Sequence, residues 1–268
     1  MIATNPMRTV IRGNRAPWLL YLAMWALPLT GLGQASFDVG SVKRHTAQDR
    51  DFSAPTCTPG RFIAHALPVS ELLTWAYDLR VDQFLALASS LPPWARLDAY
   101  DIEAKADKPA PEAQCKLMVQ QLLGDRFRIK SHWKKLVGVP GYELRVAPKG
   151  HKLKPLTLAD TGCGVHIFQQ GQERPCDRYQ WPLATKRGMT MKELAKELTL
   201  FTGRSPVFDK TGLDAEYKIN LSFTTRSNDP QYPSLETAVK EQLGLELRRM
   251  TGDTEILVID SISTPTAN

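Results

Sequence analysis

Residues 189–262 state one structural unit twice in succession: a short amphipathic helix, a glycine stop and two extended segments. In the first copy Thr190 and Glu193 have the spacing of a capping box, in which hydroxyl and carboxylate each satisfy a backbone N–H that the first helical turn leaves unpaired. Leu194, Ala195, Leu198 and Phe201 follow at helical spacing, then Gly203 and extended segments at 206–208 and 217–223. In the second copy Ser234 precedes Leu235, Ala238, Val239 and Leu243, followed by Gly244 and strands at 245–250 and 255–262. Gly203 and Gly244 supply the left-handed residue that ends a helix without a Cβ penalty. A unit of this kind cannot cover its own sheet, so such units must pack together.

The same pattern precedes these copies. Residues 37–43 alternate apolar and polar side chains as a strand does. A polar loop spans 45–59, a second strand 61–67, and a helix from Pro68 carries Leu72, Leu73, Ala76 and Tyr77 on one side. The chain breaks at Leu91, Pro92, Pro93 and Trp94 and returns as a strand at 99–106. A proline-marked joint at 108–112 leads into a helix expected to end at Gly124. Phe127, Ile129, Ser131 and Trp133 then alternate with Arg128, Lys130 and His132, and Tyr142, Leu144 and Val146 with Glu143 and Arg145. The GVPG segment at 138–141 reads as the turn of a hairpin between them. Helices therefore begin near residues 69, 111, 190 and 234, the first two and the last two each about 43 residues apart with an insert between the pairs. The expectation is an α+β fold: small repeated sheet modules, each with a packed helix, in two pseudo-repeated halves at 36–147 and 189–268. Between them, 148–188 reads as an irregular insert with one strand at 165–169.

Arg8, Arg12 and Arg15 precede an apolar run at 18–29, and Gly33 and Ala35 are small residues at the positions a signal peptidase reads. Residues 1–35 are thus expected to be a secretory signal peptide cut near Ala35. The run is shorter than the roughly 20 residues that a membrane-spanning helix needs. The expected mature chain is periplasmic or extracellular and does not span the membrane. The formal charge of +6 falls to +3 without the three leader arginines, a surplus too mild to name a partner.

Four cysteines in an exported chain meet no cytosolic reductant. Three pairings are open. Cys115 falls on the helical stripe Cys115, Met118, Val119, Leu122, where it reads as a small core side chain. Cys163 and Cys176 flank a polar segment poor in apolar residues, so a bridge between them is the preferred pairing, worth roughly 3 kcal/mol in the chain-entropy model. Four separate thiols are the alternative.

A catalytic constellation does not emerge. The sequence contains no His-Glu-x-x-His, no Gly-x-Ser-x-Gly and no phosphate-cradling glycine loop. His45, His65, His132, His151 and His166 sit in unrelated segments and read as ordinary surface or half-buried histidines, so no metal and no cofactor is expected. Asp209 and Gly212 describe a turn, with the aspartate accepting local backbone bonds and the glycine taking positive φ. Arg126, Arg128, Lys130, His132 and Lys134 form a candidate face for an anionic partner, read first as the solvated side of a sheet. A nucleic-acid partner is not expected, because no aromatic is interleaved on that basic face for base stacking.

Five segments carry a family resemblance: FDVGSVK at 37–43, DRFRIK at 125–130, GYELRV at 141–146 with KLK at 152–154, DKTGL at 209–213, and EQLGLEL at 241–247 with LVID at 257–260. In this order they resemble uncharacterised, soil-associated exported bacterial proteins abundant in acidobacteria. The sequence departs from that family at 133–139, where a more acidic segment is usual. The resemblance implies export and module order, and no activity. The family is also similar to the extracytoplasmic part of some membrane-bound metallopeptidase sensors. The helix-strand-strand units resemble the short amino-terminal modules of secretins and TonB-dependent receptors, which bind proteins and perform no chemistry. The functional expectation is an exported, non-enzymatic protein that binds a protein or peptide in the cell envelope or outside the cell. Two alternatives are a sensor domain partnering a membrane metallopeptidase and an envelope hydrolase whose site lies in the insert.

Overall fold

Alternating side chains build the first sheet from strands β1 (Val39–Arg44), β2 (Ser53–Thr58), β3 (Arg61–Pro68) and β4 (Ala99–Lys105). A computed structural model describes residues 36–46, 53–58, 60–160, 164–169, 187–225 and 231–265. The four strands are antiparallel in the order β1-β4-β3-β2. Val42, Phe62, Ala64, Tyr100, Ile102 and Ala104 are buried and belong to one core. That core is completed by α1 (Val69–Ala76) and α4 (Glu112–Phe127), with Leu87 of α2 (Val81–Ser90) and Ala95 of α3 (Pro93–Leu97). Burying a Leu or Phe in this way contributes about 1.5–3 kcal/mol. A Cβ on Gly40 would stand 2.9 Å from Leu122 Cδ1, so glycine there lets α4 lie close on the sheet.

The sequence placed β2 inside a polar loop and did not anticipate α2. β2 is an edge strand with an irregular register, so it needs little apolar alternation. Only Gln83 and Leu87 of α2 are buried, which leaves no apolar stripe to read.

The remaining elements are β5 (Lys130–Val146), β6 (Lys154–Pro155), β7 (Val165–Gln169), α5 (Met191–Leu198), β8 (Val207–Asp209), β9 (Tyr217–Phe223), α6 (Leu235–Ala238), which continues as a π-helical turn (Val239–Leu243), and β10 (Leu245–Ser261). They correct two sequence expectations. Residues 126–146 are not a hairpin, and 245–250 and 255–262 are not two separate strands. β5 and β10 are single strands of 17 residues that pair antiparallel with each other, from Leu245 opposite Val146 to Ser261 opposite Lys130. The GVPG segment is a bulge: the register passes from Gly252 opposite Val139 to Thr254 opposite Leu136, so Val137 and Gly138 oppose Asp253 alone. Gly138 takes φ +68°, and its N–H donates to Asp253 Oδ1 at 3.4 Å. An extra residue reverses the in-out phase of a strand. The odd-numbered Trp133, opposite Leu257, thus gives way to the even-numbered Leu144, opposite Leu247. The helix before β5 also runs past Gly124 to Phe127 and ends on Arg128, whose φ of +51° is left-handed.

The second core gathers Leu144, Leu245 and Val207 of the β10-β5-β8 sheet with Ile219, Leu221 and Phe223 of the β6-β9-β7 sheet. Met191, Leu194, Ala195 and Leu198 of α5 cover it. Here local sequence signals hold. Thr190 N–H donates to Glu193 Oε2 at 2.9 Å, and Glu193 N–H to Thr190 Oγ1 at 3.2 Å, closing the capping box. Gly203 and Gly244 take φ of +66° and +67°. Asp209 Oδ1 accepts from Thr211 N–H at 2.9 Å and Gly212 has φ +68°, the expected turn.

The ribbon of β5 and β10 serves both cores. Leu257 is buried in the first, with Ile129, Ile259 and Ile262 against it, while Leu144 and Leu245 belong to the second. The start of α2 fastens the first core to the bulge. Arg80 Nη2 donates to Thr254 Oγ1 at 2.7 Å and Gln83 Nε2 to the Glu255 carbonyl at 2.7 Å. Asp78 adds a link, pairing with Lys116 of α4 at 3.3 Å and Lys196 of α5 at 2.7 Å. Partial burial alone would raise the Asp78 carboxyl, but Lys196 and Lys116 outweigh it and the pKa is lowered.

A depressed carboxyl contributes stability that is fully present above its unfolded pKa of about 3.9 and is lost as pH falls through its folded value. Asp78→Asn keeps a residue suited to the left-handed φ of +52° at this position and removes the charge. At neutral pH it is expected to cost about 0.2–1 kcal/mol, the range for an exposed pair. The gap between variant and parent should close on acidification below pH ~4. Urea denaturation at a series of pH values measures this, and a gap that stays constant into acid removes Asp78 as its source.

Candidate functional site

β10 is an edge strand, ordered β10-β5-β8, so one side of its backbone has no strand neighbour among the described residues. Two hydrogen bonds fix which residues point that way. The Gly244 carbonyl accepts from Ala147 N–H at 3.0 Å, toward β5, whereas the Glu255 carbonyl accepts from Gln83 on the opposite side. Backbone direction alternates along an antiparallel strand. Leu247, Arg249 and Thr251 therefore aim their N–H and C=O groups away from β5. A covering side chain from α2 meets β10 at Glu255.

Beside this edge a concave surface of about 590 Å³ runs across the pairing of β5 and β10, lined by Pro140, Gly141, Tyr142, Ser205, Arg249 and Met250. Gly141 is required there. A Cβ would lie 2.4 Å from the Pro206 carbonyl, which accepts from Tyr142 N–H at 2.8 Å where the chain enters β8 alongside β5. Arg249 is exposed, and the salt bridges among the described residues leave it without a carboxylate. Its neighbours are paired: Glu143 with Arg145 at 3.1 Å, and Glu246 with Arg248 at 3.0 Å. This arrangement can hydrogen-bond an extended chain and offer one guanidinium to an anion.

The anionic-partner face expected from sequence is only partly assembled. Lys130, His132 and Lys134 share one exposed side of β5, and His132 is bound to Asp260 at 3.0 Å. Arg126 lies instead on α4, where its Nη2 donates to the Gly40 carbonyl at 2.6 Å, and Arg128 is the left-handed helix cap. A helix three residues longer than the glycine suggested moves both off the strand.

The histidines also depart from expectation. His151 packs edge-on against Tyr217 and His166 lies in β7. His45 and His65 converge. From the end of β1 and from β3 they meet Asp101 of β4 on the side of the first sheet opposite its helices, with Nδ1 to carboxylate distances of 3.0 and 2.8 Å. Their rings stand 5.0 Å apart, edge to face. A bulge creates this meeting: the register of β3 on β4 jumps between Ala64 and Leu67, so His65 and Ala66 both oppose Asp101. Ala66 takes φ +53° and donates its N–H to Asp101 Oδ1 at 2.9 Å. Partial burial would raise the Asp101 carboxyl, but the Ala66 N–H and the two imidazoles prevail and its pKa is lowered. Three donors from three strands leave no local motif. The available signal was that His65 and Asp101 both fall on the polar side of strands already visible in the alternation.

The family model described as "Protein of unknown function (DUF3738)" matches residues 70–262. The chain belongs to the DUF3738 family. No curated protein and no solved structure matches it. The DUF3738 match begins within α1, so it takes in the whole ribbon, the concave surface and Asp101 but neither His45 nor His65. Within the described part of this DUF3738 protein no helix is long and apolar enough to cross a membrane. The expected leader at 1–35 and the expected Cys163–Cys176 bridge lie outside the described residues. A different bridge is present, Cys57–Cys115, so Cys115 sits on the inner side of α4 as expected but is a disulfide partner rather than a plain core side chain.

Proposed function

We propose that this protein is an exported, non-enzymatic binding protein that takes up an extended peptide segment of an envelope or extracellular partner. The segment adds as a strand to the free side of β10 and carries an acidic side chain toward Arg249. The observation behind this reading is the open stretch of β10 around Leu247, Arg249 and Thr251, a long strand with one strand neighbour. Such edges are normally shortened, charged or covered, because unpaired backbone groups invite another strand. In strand addition the backbone bonds supply affinity and alternate side chains supply selectivity. The lone guanidinium of Arg249 beside a concave surface supplies the charge preference. A Cys57–Cys115 bridge fits an oxidising compartment, in line with the leader.

Proline tests this directly. Arg249→Pro removes an N–H that points away from β5 and costs the ribbon no ladder bond, as tolerated on edge strands. A photoreactive residue at Thr251 should give a discrete crosslinked product in the native envelope, and Arg249→Pro should abolish it while circular dichroism stays unchanged. Arg249→Glu should weaken it through charge alone. An undiminished product in folded Arg249→Pro protein would eliminate strand addition at this edge.

A further inference from the structure

We infer that His45, His65 and Asp101 form a binding site for a divalent transition-metal cation, independent of the peptide-binding edge. Two imidazoles and one carboxylate are the donor set that borderline cations such as zinc favour, and the same set with open positions serves other first-row metals. The spacing suits it. The potential donor atoms all lie within 4.8 Å of one another, and the two imidazole-to-carboxylate separations are 3.0 and 2.8 Å. Donors around a tetrahedral zinc at about 2.0–2.1 Å stand roughly 3.3 Å apart, so small outward movements admit an ion.

The site is also held in place by its surroundings. Ala66 N–H fixes one lobe of the carboxylate, the kind of outer partner that orients a metal ligand. Ala66 does this in a left-handed conformation that alanine adopts at a cost of about 1–2 kcal/mol. Bulges that re-aim a side chain concentrate at functional sites. Access differs among the three ligands: the His45 side chain is 8% exposed, whereas Asp101 and His65 are 38% and 42% exposed, so an ion can enter from solvent. Lys43 lies directly opposite Asp101 in the strand register. Coordination through Nδ1 leaves each ring proton on Nε2, so each imidazole stays neutral.

The test is titration of the purified oxidised chain with cobalt(II), followed by displacement with zinc(II). One equivalent should bind with the visible absorption of a site containing nitrogen donors. His65→Ala and Asp101→Asn, which retains an acceptor for Ala66, should each weaken binding at least about tenfold, the lower end of what losing even an outer-shell partner costs. His132→Ala, at the other His–Asp pair, should leave affinity unchanged. In the unaltered chain the ¹⁵N resonances of Nδ1 in His45 and His65 should shift on zinc addition, a readout that no variant's folding can confuse. Absence of saturable binding overturns the assignment. So does binding that follows His132, or zinc shifts that spare His45 and His65.

Discussion

Replacing Cys57 and Cys115 together by serine is expected to lower the unfolding free energy by about 4 kcal/mol. The two residues are 58 apart in sequence, and closing a loop of that length removes much of the freedom of the unfolded chain. Their Cα atoms stand 6.5 Å apart, within the span of a native bridge. The local structure points the same way. β2, which carries Cys57, is an edge strand whose pairing with β3 is interrupted between Ser53 and Thr56. Cys115 is buried on α4, so the bridge anchors a weakly paired edge to the core helix. Guanidinium denaturation with and without reductant measures the effect, and non-reducing peptide mapping identifies the linked pair. A loss below about 1 kcal/mol, or free thiols at both positions, would contradict it.

What could be read from sequence follows the range of the interaction. Signals complete within a few residues held: the Thr190–Glu193 capping box, the left-handed Gly203 and Gly244, and the Asp209 turn. The alternating strands and the helix starts near 69, 111, 190 and 234 hold as well, because burial on one face imposes its period locally. Features that depend on a distant partner did not. A turn and a bulge both interrupt alternation and both recruit glycine, so the GVPG segment cannot reveal whether Trp133 faces Val146 or, as found, Leu257. Arg126 and Arg128 seemed to belong to a strand because their apolar neighbours alternate, yet Phe127 is buried as the last residue of α4. The meeting of His45, His65 and Asp101 required the strand order β1-β4-β3, which no local pattern encodes.

Phe127→Ala is expected to cost about 3–5 kcal/mol, the range for emptying a buried phenylalanine site. The ring is fully buried, stacked on Trp94 with centroids 6.4 Å apart and meeting Tyr100 edge-on at 5.1 Å. These partners lie on α3 and β4, so alanine would leave a void that no single element can close. The backbone at the same residue adds to the effect, since its carbonyl accepts from Ser263 N–H at 2.8 Å and holds the chain just after β10. Loosening there should release the ribbon end that carries Leu257 into the first core, while the second core around Leu144 and Leu245 keeps its packing. Hydrogen exchange should therefore show faster opening at Ile256 and Val258 than at Glu246 and Arg248, whose N–H groups all point toward β5. Phe127→Leu, which restores most of the volume, should cost about 1–1.5 kcal/mol. Equal losses for leucine and alanine would mean that ring packing against Trp94 and Tyr100, rather than filled volume, secures this junction. Uniform acceleration of exchange along β10 would show that the two cores open together.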